Sequence, residues 1–206
     1  MDNSSGVILV LSGPSGAGKS SLINKISGDI GDYYFSISTT TRPMREGEIE
    51  GVHYYFVTKE EFEADIKADN FLEYATVHGN YYGTSIKPVR EALVEKKLVL
   101  FDIDVQGNDI VQNRMGDLIT SVFISTPSLS ELKNRLESRN TDTQDVIDKR
   151  IKMAKKEIQR ISEYDYLIIN DVLEEAAEKL KTIVNIAKLK VSRNEINSFV
   201  QQWEDI

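Results

Sequence analysis

The plainest chemistry in the chain lies near its start, where Gly13-Pro14-Ser15-Gly16-Ala17-Gly18-Lys19-Ser20 spells G-x-x-x-x-G-K-S. Glycines at these spacings let backbone N–H groups turn inward around a polyphosphate, and a helix opening at the lysine adds its positive end. Lys19 has the reach for the outer phosphates. Ser20 offers a hard hydroxyl oxygen of the kind Mg²⁺ accepts. This is a nucleotide-binding loop, yet by itself it does not separate a GTPase, an ATPase motor, a small-molecule kinase and a nucleotide sensor.

Other residues narrow the chemistry. The apolar run 98–101 ends in Asp102-Ile103-Asp104, and alternate residues of a strand share a face, so both carboxylates can approach a metal–phosphate site. Either can instead cap the strand end or the next helix. Arg42 and Arg45, amid hydroxyls and turn residues, suit a clamp for a second anion or an ordinary solvated loop. Glu73 is one carboxylate in an apolar and aromatic stretch, placed either to bind a ligand or to pair with an arginine. Tyr82 and Thr84 follow it as donors for a phosphate. Arg135 and Arg139 stand four residues apart, hence on one helix face, and Arg150 comes in the next helix. Converging guanidiniums neutralise a transferring phosphoryl group; the alternative is pairing with Glu131, Glu137 or Asp145. His53 and His78 lack the company of a metal cluster, and no metal is assigned to them.

The elements that must position these residues follow from the pattern of apolar positions. Continuous β-branched and aliphatic runs at 7–11, 98–103, 121–125 and 166–170 read as strands buried on both faces, as in parallel sheets. Helical spacing is found at 18–26, 85–96, 128–138, 145–162 and 173–189. Strands alternating with helices predict an α/β fold. Residues 35–84 break the rhythm: short strands at 35–38, 54–57, 71–78 and 80–82 and a helix at 59–68 read as a small antiparallel lobe inserted in the core. The charged stretch 132–160 reads as a helical appendage. A core with two appendages suits closure over a ligand.

With 206 residues, 40% hydrophobic and 28% charged, the chain is globular in composition and of a size for one domain. Its net charge of −8 argues against nucleic acid or anionic membrane as a partner. The absence of cysteine excludes disulfides, thiolate metal sites and a cysteine nucleophile. No apolar run approaches the ~20 residues of a membrane span, and no export signal is visible, so the cytoplasm is the expected compartment.

In order, GPSGAGKS, STTTRPMREGE, GVHYYF, FLEYA, GNYYGT and DIDVQG closely resemble guanylate kinase, over about residues 7–184. The resemblance implies a P-loop NTPase-type parallel core, a GMP-binding lobe and a mobile helical lid within a single domain: core about 5–34, 85–126 and 163–190, lobe about 35–84, lid about 127–162. It implies phosphoryl transfer from ATP to GMP, and to dGMP, with Mg²⁺. Position by position, Ser38 and Glu73 resemble the guanine-reading pair. Arg42, Arg45, Tyr54, Tyr82 and Thr84 resemble the GMP phosphate clamp. Asp102 with Ser20 resembles the metal side and Asp104 a nucleoside contact. Arg135, Arg139 and Arg150 resemble the lid arginines, and Asn170-Asp171 the segment beside adenine. Catalysis would rest on Lys19, Arg42 and the lid arginines. The rival readings are a guanylate-kinase-like binding module without catalysis and a kinase of another monophosphate. Residues 188–206 extend beyond the resemblance. There Ile196, Phe199, Val200 and Trp203 recur at helical spacing, predicting a helical tail packed on its own core or, in a homo-oligomer, on a partner subunit, with the first preferred.

Overall fold

The computed structural model describes residues 6–77, 79–138 and 142–204. In chain order its elements are β1 (Val7–Ser12), α1 (Lys19–Ile26), β2 (Tyr33–Phe35), β3 (Thr39–Thr40), β4 (Tyr55–Phe56), α2 (Lys59–Lys67), β5 (Phe71–Val77), β6 (Asn80–Ser85), α3 (Ile86–Val94), β7 (Leu98–Asp102), α4 (Val105–Met115), β8 (Ile119–Ser125), α5 (Leu129–Ser138), α6 (Gln144–Glu157), β9 (Tyr166–Ile169), α7 (Leu173–Ala187) and α8 (Arg193–Glu204).

Five strands form a parallel sheet in the order β2-β7-β1-β8-β9. The period of two explains why β1 is apolar at every residue up to Leu11. Val7, Leu9 and Leu11 face a layer built by α1 and α7, with Leu22, Ile26, Leu180 and Val184. Ile8 and Val10 face the opposite layer, with Val89 of α3 and Val111 of α4. Both faces are dry, so no polar residue of β1 is tolerated until Ser12, where the chain leaves the sheet for the glycine loop.

The second sheet runs β4-β3-β6-β5. It is antiparallel at β3–β6 and β5–β6, while β4 adds parallel to β3. Its stabilising layer is aromatic: Phe62 of α2 stacks on Phe71 and Tyr81 with ring centroids 4.2 and 5.1 Å away. Thr58 and Glu61 close the start of α2 as a reciprocal capping box. In the helical appendage, Leu132 and Leu136 of α5 pack on Ile147 and Ala154 of α6.

Four readings change. The strand expected at 35–38 is Tyr33–Phe35 instead, and it joins the edge of the core sheet beside β7 because its half-buried aromatics pack on that layer. Helix α4 was not legible, since Gly107, Asn108 and five further polar residues blur its apolar period; Asp104 starts it by accepting from the backbone N–H of Gln106 and Gly107. The tail helix α8 forms, but it does not pack on the core: Ile196, Phe199, Val200 and Trp203 are 44% to 70% exposed. The single helix expected over 145–162 breaks after Glu157 into a 3₁₀ turn at Ile158–Glu163, where Arg160 is drawn to Glu163, Asp109 and the Val105 carbonyl. Position 78, expected to end β5, lies outside the described residues.

Candidate functional site

The glycine loop leaves β1 and feeds α1 in the order the motif requires. Its glycines answer steric demands. A Cβ on Gly13 would lie 2.0 Å from the Ile124 carbonyl oxygen, and one on Gly18, at φ +91°, would lie 2.3 Å from Asn170 Nδ2. Lys19 Nζ donates to the Gly13 carbonyl at 2.7 Å, folding the side chain back over the loop, and stands 3.7 Å from Asp102 Oδ1. Burial pushes the Asp102 carboxyl up and the Lys19 charge pulls it back, burial being the larger effect. Ser15, Gly16, Gly18, Lys19, Ser20 and Asp102 line one cleft of about 130 Å³.

A second cavity, of about 450 Å³, also has Asp102 on its wall. Ser38, Tyr54, Glu73, Tyr82, Asp102 and Asp104 are among its lining residues. Glu73 and Thr84 are cross-strand partners in β5 and β6, which places the buried Thr84 hydroxyl to donate to Glu73 Oε1 at 2.7 Å. Burial raises the Glu73 carboxyl above its ordinary range; the Thr84 bond opposes this, and the Asp104 charge adds to it. Asp104 is doubly placed: its Oδ1 caps α4, as the sequence left open, while the residue also faces this cavity.

The anion-clamp candidates sit beside it. Arg42 donates to Glu48 Oε1 at 2.7 Å and lies 5.4 Å from the Tyr54 ring centroid and 5.7 Å from that of Phe56. Glu48 also accepts from the Arg45 backbone N–H at 2.7 Å, and the Arg42 bond holds its carboxyl below the usual range. Arg45 itself is exposed on the loop. The Tyr54 and Tyr82 rings meet edge to face at 5.8 Å. Sequence reasoning missed Glu48, although it stands inside the arginine-bearing motif; two arginines within six residues of one carboxylate were the available signal.

The helical appendage brings further arginines to the loop. Arg150 donates to Ser15 Oγ at 2.6 Å and to Asp142 at 3.1 Å. Arg135 pairs with Glu131 at 2.7 Å, the alternative weighed from sequence, and also reaches the Asp171 carbonyl at 3.5 Å. Arg139 lies outside the described residues. Asn170 is 3% exposed, and its Nδ2 donates to the Ala17 carbonyl at 2.8 Å; its amide is therefore committed to shaping the loop, while Asp171 beside it is exposed. Glu157, half-buried at the end of α6, has its carboxyl raised by burial, with the Lys19 charge opposing this and the Asp104 charge adding to it.

Ser20 and Asp102 are hard oxygen donors on one cleft wall and fit Mg²⁺, which usually takes one or two protein oxygens and fills its shell with water and phosphate. The loop cleft can hold a polyphosphate and the Glu73 cavity a second, flat anionic ligand, with Asp102 on the wall of both. Among the described residues no helix is long and apolar enough to cross a membrane.

Comparison with known proteins agrees with this geometry. The guanylate kinase family model matches residues 5–187. The guanylate kinase of Sulfurimonas denitrificans is 66% identical over 206 residues, covering all of both chains. That of Campylobacter jejuni strain RM1221 is 48% identical over 201 residues, 97% of this chain and 98% of its own. A crystal structure of guanylate kinase from Anaplasma phagocytophilum superposes with a TM-score of 0.71 at 35% identity, covering 91% of this chain and 89% of that one. With relatives matching from end to end and the same α/β architecture, this chain belongs to the guanylate kinase family, a family of nucleotide kinases that act on GMP.

Proposed function

We propose that the chain moves the γ-phosphoryl group of ATP directly and in line to a phosphate oxygen of GMP, or of dGMP, releasing ADP. The observation that carries this reading is the place of Asp102, on the wall of both the loop cleft and the Glu73 cavity, so that donor and acceptor phosphates meet at one carboxylate. No tuned general base is required, because the attacking phosphate oxygen is already anionic.

The chain's own residues divide the work. The loop N–H groups and Lys19 hold the ATP phosphates. Arg42, Arg45, Tyr54 and Tyr82 orient the acceptor phosphate, and Ser38 and Glu73 read the base, with Thr84, expected in the phosphate clamp, donating to Glu73 instead. Arg135, Arg139 and Arg150 add positive charge as the lid (about 127–162) and the lobe (about 35–84) close and exclude water. Ser20 and Asp102 would hold Mg²⁺, which when bound neutralises charge on the phosphate oxygens. Asn170 supports the loop from behind, with Asp171 beside the adenine. Asp104, on the wall of the Glu73 cavity, meets the nucleoside. The lack of cysteine fits a cytoplasmic setting.

Guanine presents N1–H and the N2 amine side by side, which one carboxylate accepts together, while O6 takes a hydroxyl. Adenine has the opposite polarity at N1 and C6. A site built on such hydrogen bonds rejects the mismatch by about 10⁴ or more. The test is kcat/KM for GMP, dGMP, AMP and UMP at saturating ATP. GMP and dGMP should stand about 10⁴ above the others; AMP within tenfold of GMP would refute the base-reading assignment.

A further inference from the structure

Helix α8 has its own start signal and its own anchor. Glu195 accepts from the Ser192 backbone N–H, and Ser192 Oγ accepts from the Glu195 backbone N–H, a reciprocal capping box that opens the helix. The connection before it is pinned to the core: Lys188 Nζ donates to the Ile30 carbonyl at 2.5 Å, and Lys190 Nζ donates to the Ile119 carbonyl. The preceding helix α7 spends its apolar face on β1 and α1, with Leu180 and Val184. Helix α8 does the reverse. At 3.6 residues per turn, Ile196, Phe199, Val200 and Trp203 fall in one stripe about 100° wide, and they are 48%, 67%, 44% and 70% exposed. Leu189 and Val191 in the connection are 80% and 56% exposed.

The spacing of 196, 199, 200 and 203 is that of a seam that packs on another helix. With its neighbours Leu189 and Val191 the stripe presents about 500 Å² of apolar surface. A specific interface takes about 800 Å² from each partner, roughly 65% of it apolar in homodimers, so the surface matches what a stable dimer needs. The polar side of α8 carries one arginine against Glu195 and Glu204 and lacks the basic face that lays an amphipathic helix on an anionic membrane. We infer that α8 is a dimerisation element, two copies of this chain pairing their α8 helices antiparallel across a two-fold axis. The antiparallel sense follows from side-chain size: it sets the large Trp203 of one copy over the smaller Ile196 of the other, whereas a parallel pair would oppose tryptophan to tryptophan. Phe199 and Val200 of both copies then meet at the axis, each touching its own symmetry mates.

The chain has one tryptophan, Trp203, so its emission reports this face directly. Sedimentation of the full chain from low micromolar to sub-millimolar concentration should show the mass doubling, with Trp203 emission moving to the blue in step. Phe199→Asp and Phe199→Lys each set like charges together at the axis and should weaken the dimer by about 30-fold or more. Mixing the two variants pairs opposite charges and should restore it. Each single variant should keep full turnover, which marks a folded monomer, because α8 lines neither the loop cleft nor the Glu73 cavity. An unaltered chain that stays monomeric overturns the inference, whether its Trp203 emission is blue, with the stripe seated on its own core, or red, with the stripe left for a different partner. A dimer that survives Phe199→Asp, or that the mixed variants fail to restore, places the interface elsewhere and overturns it equally. The dilution series on the unaltered chain decides the matter even where a variant fails to fold.

Discussion

Replacing Thr84 by valine removes one hydroxyl and keeps the shape of a side chain that is 1% exposed. The lost bond is the 2.7 Å donation to Glu73 Oε1. A hydrogen bond to a charged acceptor contributes about 1.5–3 kcal/mol, and one pKa unit corresponds to about 1.4 kcal/mol. The Glu73 carboxyl, already raised by burial, should therefore rise further, because the Thr84 bond that lowers it is gone. Reading guanine requires the carboxylate, so kcat/KM for GMP climbs with pH as Glu73 ionises, and in Thr84→Val that acid limb moves to higher pH. Stability has the opposite sense. A folded pKa above the unfolded value stabilises the fold below the unfolded pKa, and this contribution is lost as pH rises through the folded pKa. The variant's deficit is accordingly largest near neutrality and disappears in acid. A coupled ADP-release assay across pH 4.5–8, with melting temperatures at each pH, measures both. An acid limb that does not move to higher pH in a folded variant would mean that Thr84 does not tune the carboxylate.

Three further outcomes follow from single contacts. Gly18→Ala forces a Cβ into φ +91° and to 2.3 Å from Asn170 Nδ2; at about 1–2 kcal/mol for the backbone and about 1 kcal/mol for the displaced amide bond, the melting temperature should drop by about 4–10 °C and ATP affinity with it, and an unchanged melting temperature contradicts the geometry. Glu48→Gln weakens the hold on Arg42, so KM for GMP should rise about tenfold, the equivalent of about 1.4 kcal/mol, with kcat little changed; a fall in kcat alone would move Glu48 out of the clamp. Arg150→Ala should lower kcat by about 10²–10³ while KM for GMP stays within threefold, and a pure binding defect would remove Arg150 from the catalytic set.

Much of this protein is written locally. The loop at residues 13–20 lies between a continuous apolar strand and a helix, so strand, turn and helix are recognisable without knowledge of the rest of the chain. The same holds for the run ending at Asp102 and for the alternation of strands and helices that calls for a parallel sheet, because backbone periodicity and glycine sterics act over a few residues. Tertiary structure decided the rest. Tyr33–Phe35 joins the core sheet because β7 offers an edge, and α4 forms with few apolar residues because Asp104 caps it. Asn170 donates its amide to Ala17 from 153 residues away, and Arg160 docks the end of α6 on α4 by bonding the Val105 carbonyl and Asp109. Such pairings leave no periodic trace in the chain. They arise when elements pack, because a polar group that loses water must find a partner among whatever the fold brings near, however distant in sequence.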